Sequence, residues 1–444
     1  LPYLHHEIRL PAPRGSWDAL FPLLSGDALT GRRKTMLQRP ASKRRPAYLL
    51  AALALAAVGI AQARAAARPV AYPAIEGLNK VRSFDVVAEG GKLHALLGGA
   101  FAQRGGDALA YAASADGGQT WSKPVFVSAE GEPGLLSRRG NDAQLAVQGS
   151  RMLAVWQAKG DIPGTGPLRI ALSSDGGKTW QPGGSPATGD NTGNQSYPAL
   201  AFDGTGAVHL AWLDDREENG NSQGLRYARS TDGGHRWLPE ATLDPEVCTC
   251  CWNRLAVLPD ASVAVLYRDN EPHDMRLALL KPRAERWQDT GAVGNFGWHF
   301  VGCPHCGGGL AAVKTRRGMA LHSVVWTGRD AAPGLYYLGS GDSGHTWSQP
   351  LPVGDAASKE ADIAALSADQ SALAYTRVTQ DGAAVYLRRS RDSGRHWSAP
   401  AELTAPGVDA DHPQILATPK GLRVFWTEAR PGGGKVWAMA APST

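Results

Sequence analysis

The strongest constraint on this chain is an octapeptide written five times: SADGGQTW at 114–121, SSDGGKTW at 173–180, STDGGHRW at 230–237, SGDSGHTW at 340–347 and SRDSGRHW at 390–397. The shared pattern is Ser-x-Asp-x-Gly-x-x-Trp, and a motif recurring at such intervals marks a repeat architecture. Its chemistry is that of a tight turn. Ser and Asp side chains bond nearby backbone N–H groups, while Gly117, Gly176, Gly233, Gly344 and Gly394 stand where the turn calls for positive φ. The Trp opens the next strand and packs a large ring between strands. Each octapeptide is a hairpin turn with a built-in anchor.

A second repeat runs beside the first. Apolar markers Leu145, Leu200, Leu255 and Leu310 are each 55 residues apart, Ile363 and Ile415 continue the series, and Val86 begins it. A second strand follows each later marker, often with an aromatic such as Trp156, Trp212 or Tyr267, and a third precedes each octapeptide. The gap between the third and fourth octapeptides is twice the usual interval, and a worn copy fills it: LKPRAERW, 280–287, keeps only Trp287. Residues 412–440 add a last unit with no octapeptide, whose outer strand is expected from 69–78.

The octapeptide closely resembles the Asp-box (BNR) repeat of sialidase-like β-propellers. The resemblance implies an all-β fold: a single β-propeller of four-stranded antiparallel blades, seven by repeat count, with six the alternative set by the six-bladed sialidases. The 53 Gly and 30 Pro suit its many short turns.

Residues 1–67 stand apart. From Met36 the chain reads as a secretory signal: a basic stretch, an apolar run over 47–61, and small residues Ala61, Ala63 and Ala65 spaced like a cleavage site. The expected organisation is a non-native upstream segment over 1–35, a signal peptide over 36–67 and the propeller over 69–444, in a secreted or periplasmic protein. The whole chain carries a net charge of +5, but residues 1–67 hold ten Lys/Arg against three Asp/Glu, leaving a net of −2 for the rest. The basic balance therefore belongs to the leader, and nothing points to a nucleic-acid surface. The apolar run is too short for a comfortable membrane span. A monomer with a glycan or small acidic ligand as partner is expected.

Strand direction sorts the residues by face. The octapeptides join third to fourth strands, so they lie where first strands end. The opposite face receives the connections between units and the loops from second to third strands, and loops on a rigid scaffold carry function. Four residues before each apolar marker stand Arg82, Asn141, Ser196, Cys251, Cys306, Lys359 and Asp411, one per unit and none of them apolar in the aliphatic sense. This set is expected to line a site at the mouth of the central channel. Arg329, in a loop on the same face, joins the candidate ligand-binding residues Asn141, Ser196, Lys359 and Asp411.

All five cysteines fall in two stretches: Cys248, Cys250 and Cys251 before the fourth unit, Cys303 and Cys306 before the fifth. Three readings stay open. One is a disulfide staple between neighbouring entrances. Another is a thiolate site for Zn or Cu, with His305, His299 or His273 joining. The third is redox chemistry at CPHC, 303–306, which in thiol oxidases precedes a helix; here GGG follows.

The resemblance also implies catalytic residues. Sialidases hold the substrate carboxylate with three arginines, the first in an Arg-Ile-Pro motif, and use a Tyr nucleophile paired with Glu and an Asp acid/base. Arg82 occupies the first arginine's place but reads RSFD; Arg104 and Asp107 match the charged segment before the first box; Arg254 and Arg268 are candidates by face. Two function classes result. One is a sialidase-like exo-glycosidase acting on sialic acid or another acidic glycan, with no cofactor required. The other is a non-catalytic binding propeller whose cysteine-lined mouth holds a disulfide or a soft metal.

Overall fold

The computed structural model describes residues 70–189, 193–216, 222–316, 318–380 and 382–442. The leader and upstream segment expected over 1–67 lie outside them. Regular structure among the described residues consists of 27 strands and one short 3-10 turn, Ala102–Arg104.

The strands form consecutive antiparallel units, each a short meander. Their first strands are Leu78–Glu89, Gln144–Gln148, Gln195–Phe202, Arg254–Val257, Gly309–Thr315, Ser358–Ala365 and Ala410–Thr418. These open units one to seven. Units two to six are separate four-stranded sheets. Unit seven has three strands and is joined to the four strands of unit one through a single pair, Val81 with Lys435. Each first strand touches the next, and that of unit seven touches that of unit one. The N-terminal segment lies against the outer side of unit seven, where Ala71 and Met439 exchange two backbone hydrogen bonds of 2.8 Å. This all-β build of four-stranded antiparallel sheets is propeller-like.

The core lies between sheets rather than inside any one of them. Seven apolar clusters each bridge two neighbouring units, one for every adjacent pair, including seven and one. Leu153 and Ile170 of unit two meet Leu210 and Trp212 of unit three, for example, and Leu266 and Leu277 of unit four meet Leu321 and Leu338 of unit five. Strand alternation supplies both faces of each sheet.

The octapeptides pin these seams. In the second, Asp175 accepts hydrogen bonds from Ser173 Oγ, Lys178 N, Thr179 N and Thr179 Oγ1, all between 2.7 and 3.0 Å. Those bonds, led by the Thr179 hydroxyl, hold the Asp175 carboxyl down to about 2. Asp116, Asp232, Asp342 and Asp392 repeat the arrangement. The Trp ring then packs on the preceding unit: Trp180 on Tyr111 at 5.8 Å between centroids, Trp397 on Tyr337 at 5.1 Å, and Trp121 on Trp437 of unit seven at 5.0 Å. Trp287, the remnant of the worn copy, still packs on Tyr227 of unit three at 4.8 Å. Two of these tyrosines, with Tyr227, also bond a buried histidine across the sheet, in the pairs His94–Tyr111, His209–Tyr227 and His322–Tyr337, each 2.7 Å.

Two glycines separate backbone from packing demands. Gly176 and Gly177 both have left-handed φ, +79° and +82°. A Cβ on Gly176 would meet nothing within 4 Å, whereas one on Gly177 would lie 2.3 Å from the Tyr111 ring. Gly176→Ala is expected to cost about 1 kcal/mol, the left-handed penalty alone. Gly177→Ala should cost about 2–3 kcal/mol, adding a clash across the seam. Denaturant unfolding with unchanged m-values checks the ranking; equal costs would remove the seam contact from the account.

Candidate functional site

The first strands do not run straight into the channel. The pairing of first and second strands shifts register between Val81 and Ser83, between Lys359 and Asp362, and between Asp411 and Gln414. A comparable shift faces Ser196–Ala199 in unit three. Such bulges re-aim a side chain. The residues after Ser196, Lys359 and Asp411 adopt left-handed backbone: Tyr197 at φ +51°, Glu360 at +50° and His412 at +60°. The equivalent position in each unit is Ser83, Asp142, Tyr197, Trp252, Gly307, Glu360 and His412, one residue later than the polar set read from the sequence.

Four of these residues, Ser83, Asp142, Glu360 and His412, line a cavity of about 550 Å³ at the mouth, on the face of first-strand entrances and second-to-third-strand loops. His412 Nε2 lies 2.9 Å from Asp142 Oδ2. The His412 backbone N–H donates to Glu360 Oε2 at 3.0 Å, and Thr376 Oγ1 donates to the same oxygen at 3.1 Å. Arg139 donates to the other Glu360 oxygen. Burial opposes charge on His412, but Asp142, with Glu360 and Asp411, outweighs it and raises the imidazole to about 9. His412 is therefore a cation, and a proton donor, at neutral pH. Asp411 is paired with Lys435 and Thr427, which hold its carboxyl below the usual range despite burial.

The cavity wall is cationic. Lys80, Arg82, Arg138, Arg139, Lys359 and Lys435 line it together with His412, against the carboxylates Asp142, Glu360, Asp409 and Asp411. A smaller cavity of about 60 Å³ adjoins it, sharing Phe84, Asp142, Glu360 and His412, and is lined by internal pairs. Arg254 Nη2 meets Asp362 Oδ1 at 2.7 Å, and Gln414 Nε2 donates to Asp85 Oδ1 at 2.9 Å. Asp85 and Asp362 also accept backbone N–H groups of the next first strand, from Leu145 at 2.7 Å and Ile415 at 3.0 Å.

The residues singled out from the sequence are distributed as follows. Arg82, Lys359 and Asp411 line the mouth cavity. Arg82 donates to Asp107 at 2.8 Å. Arg104 lies over the Phe126 ring, 4.2 Å from its centroid, and lines a separate cleft with Asp107. Asn141 is buried and tethers strands, bonding Gln157 at 2.7 Å and accepting from Tyr197 N at 2.6 Å. Ser196 is buried in the interior, Arg329 is exposed on its loop, and Arg254 lines the smaller adjoining cavity. No tyrosine lines the mouth cavity among the described residues. Asp142, Glu360 and His412 recur at the same period as the polar set, one residue later; the bulges that expose Glu360 and His412 leave no mark in a residue pattern.

The cysteines form a second centre beside the mouth. Cys250 and Cys303 are joined as a disulfide between the connections leading into units four and five. Cys248, Cys251 and Cys306 are free thiols, all buried. Cys248 Sγ lies 2.7 Å from Cys251 Sγ and 3.8 Å from Cys250 Sγ. The Cys251 contact, aided by His273 and Arg268, pulls the Cys248 thiol down to about 5 against burial. Burial pushes Cys251 and Cys306 up. Arg268 is fully enclosed here. It donates to the carbonyls of His273 at 2.5 Å, Trp326 at 2.9 Å and Cys306 at 3.1 Å, and points Nη2 at Cys306 Sγ, 3.7 Å away. His305 is exposed at φ +49°. CPHC runs into the strand Gly309–Thr315, so no helix N-terminus stands behind its first thiol.

No family model and no curated protein matches the chain. Solved structures do. A polysaccharide lyase, an ulvan lyase bound to -[GlcA(1-4)Rha3S]-, is 12% identical with a TM-score of 0.56, covering 83% of this chain and 95% of its own. A Hadza microbial sialidase is 15% identical with a TM-score of 0.44, covering 75% and 73%. The NanB sialidase from Streptococcus pneumoniae is 11% identical with a TM-score of 0.43, covering 84% and 69%. The ulvan lyase shares its fold with the chain.

The half-buried His412, paired with Asp142, sets a pH dependence. Its folded-state pKa, about 9, lies above the ordinary histidine value, so its stabilisation is complete below about pH 6.5 and is lost as pH rises toward 9. His412→Gln should remove that loss, which amounts to no more than about 3 kcal/mol. Unfolding free energies of both proteins between pH 6 and 10 check this; parallel curves would exclude a charged His412.

Proposed function

We propose that the protein is a carbohydrate-acting propeller that takes an acidic glycan at the mouth cavity. The observation that carries this reading is the excess of cationic side chains around a recessed imidazolium. Arg82, Arg139 and Lys359 would receive a carboxylate or sulfate, since guanidinium and ammonium groups pair with such anions. His412 would donate a proton to the leaving oxygen, and Asp142 would hold its ring in place. Glu360 fixes Arg139 and the His412 backbone. The ulvan lyase neighbour, bound to a glucuronate-containing sulfated glycan, gives the same ligand class. Sialoside hydrolysis through a Tyr nucleophile finds no tyrosine in the cavity lining among the described residues, so an acidic polysaccharide is preferred over a sialoside. The disulfide suits work outside the cytosol, in keeping with the leader read from the sequence. No helix among the described residues is long and apolar enough to cross a membrane.

A second reading belongs to the sulfurs. Cys248, Cys250 and Cys251 place one ligand atom each within 4.8 Å of one another, and Cys250, Cys303 and His305 do the same. Thiolates in such sets suit Zn or Cu(I).

Calorimetric titration with glucuronate-bearing, sulfated, sialylated and neutral oligosaccharides tests the glycan reading. Binding should favour the acidic chains, weaken as pH rises past 9, and fall roughly tenfold or more for Arg139→Ala or Lys359→Ala, a loss of about 1.4 kcal/mol or more. Equal binding of neutral and acidic chains, or none of any, would sink it. Unsaturated or reducing-end products that vanish in His412→Gln would add catalysis to binding.

A further inference from the structure

We propose that the Cys250–Cys303 disulfide is a redox gate on a site for a soft d10 cation, Cu(I) or Zn(II), which loads only when that bond is reduced. This deepens, and rests on, the soft-metal reading of the cysteine centre.

The two donor sets share one sulfur. Cys248, Cys250 and Cys251 form a buried set, and Cys250, Cys303 and His305 form one that reaches the surface through Cys303 and His305. A sulfur held in a disulfide is not a thiolate ligand, because only the thiolate binds metal. With Cys250 bonded to Cys303, the inner set has two thiols left and the outer set only an imidazole. Reduction completes both at once.

Independent features mark the inner set as built for negative sulfur. Cys248 and Cys250 Sγ are 3.8 Å apart, the separation of two thiolates on a tetrahedral ion with bonds of about 2.3 Å, whereas Cys248 and Cys251 Sγ, at 2.7 Å, must part by about 1 Å on loading. Arg268 is a fully buried cation whose partners are backbone carbonyls and a cysteine sulfur. A buried guanidinium calls for nearby anions; the buried carboxylate Asp274 supplies one, and thiolates would supply more. His273, 3% exposed and beside Cys248, has a buried Nδ1 with no hydrogen-bond partner. It is placed as a further nitrogen donor.

The chemistry balances with a thiol as reductant. The thiolate of one RSH attacks the exposed Cys303 sulfur; the S–S bond breaks, Cys250 leaves as thiolate, and a mixed disulfide forms at Cys303. A second RSH resolves it, giving RSSR and a free Cys303 thiol. Two electrons pass from the two RSH to the protein. The cation then binds, and the remaining thiol protons go to solvent.

The full-length protein, stripped of metal, is titrated in oxidised and in thiol-reduced form. One series uses Zn²⁺ against a chromophoric chelator, and another uses Cu(I) supplied anaerobically as its bicinchoninate complex. The reduced protein is expected to bind at least one ion per chain, roughly a hundredfold more tightly than the oxidised protein. Cys303→Ser, an exposed substitution that leaves Cys250 free, should bind like the reduced protein without reductant. Cys248→Ala should lose binding in both forms. Equal affinity of oxidised and reduced wild type overturns the gate and leaves the metal reading standing. No stoichiometric binding of either ion by the reduced wild type overturns both. The Zn and Cu(I) series decide which cation the site prefers.

Discussion

Everything in this molecule rests on apolar seams between sheets. No single unit buries its own faces; a four-stranded antiparallel meander of this size is marginal alone and becomes stable only when its neighbours cover it. Leu153 and Ile170 have no core until Leu210 and Trp212 arrive from the next unit. The octapeptide turns serve the same seams, because each aims a Trp and a glycine backbone at the unit before it. Their fixed backbone chemistry, with Asp175 and its equivalents satisfying several N–H groups, keeps those aims constant from unit to unit.

Because the seams are rigid, the inner strand entrances can depart from regular geometry. Left-handed backbone at Tyr197, Glu360 and His412 is costly for residues with side chains. It persists where the surroundings over-determine it, and it turns Glu360 and His412 into the cavity that Asp142 also lines. The charges there are neither a plain basic patch nor a set of neutralised pairs. Glu360, Asp142 and Asp107 pair with Arg139, His412 and Arg82, and the Arg82, Arg139 and Lys359 side chains still face the cavity.

Much of the fold was legible in the residues. The spacing of Leu145, Leu200, Leu255 and Leu310 located four first strands, and Trp287 revealed a unit whose turn signature had eroded. The face assignment followed from strand direction alone. The site was legible only to within one residue. Arg82, Lys359 and Asp411 were named, but the bulges turn the following residue into the floor of the cavity, and register shifts depend on pairing partners far away in sequence. The grouping of the five cysteines was visible; which of them pair was not, since a disulfide depends on distances that composition does not encode. The buried His94–Tyr111 pair and its two copies also escaped notice, because isolated His and Tyr residues in strands look like surface residues until the neighbouring sheet covers them.

The bridge between Ala71 and Met439 has a kinetic side. The pairing spans almost the whole described chain, so the segment at Ala71 must wait for Met439 to be made before it finds its partner. Until unit seven exists, that segment is an unpaired edge, and the outer edge of unit seven stays open until the segment returns to it. Contacts of such long sequence separation slow folding and prolong the life of open edges. A chain built this way gains most from conditions that keep those two open edges apart from other chains while the middle units assemble.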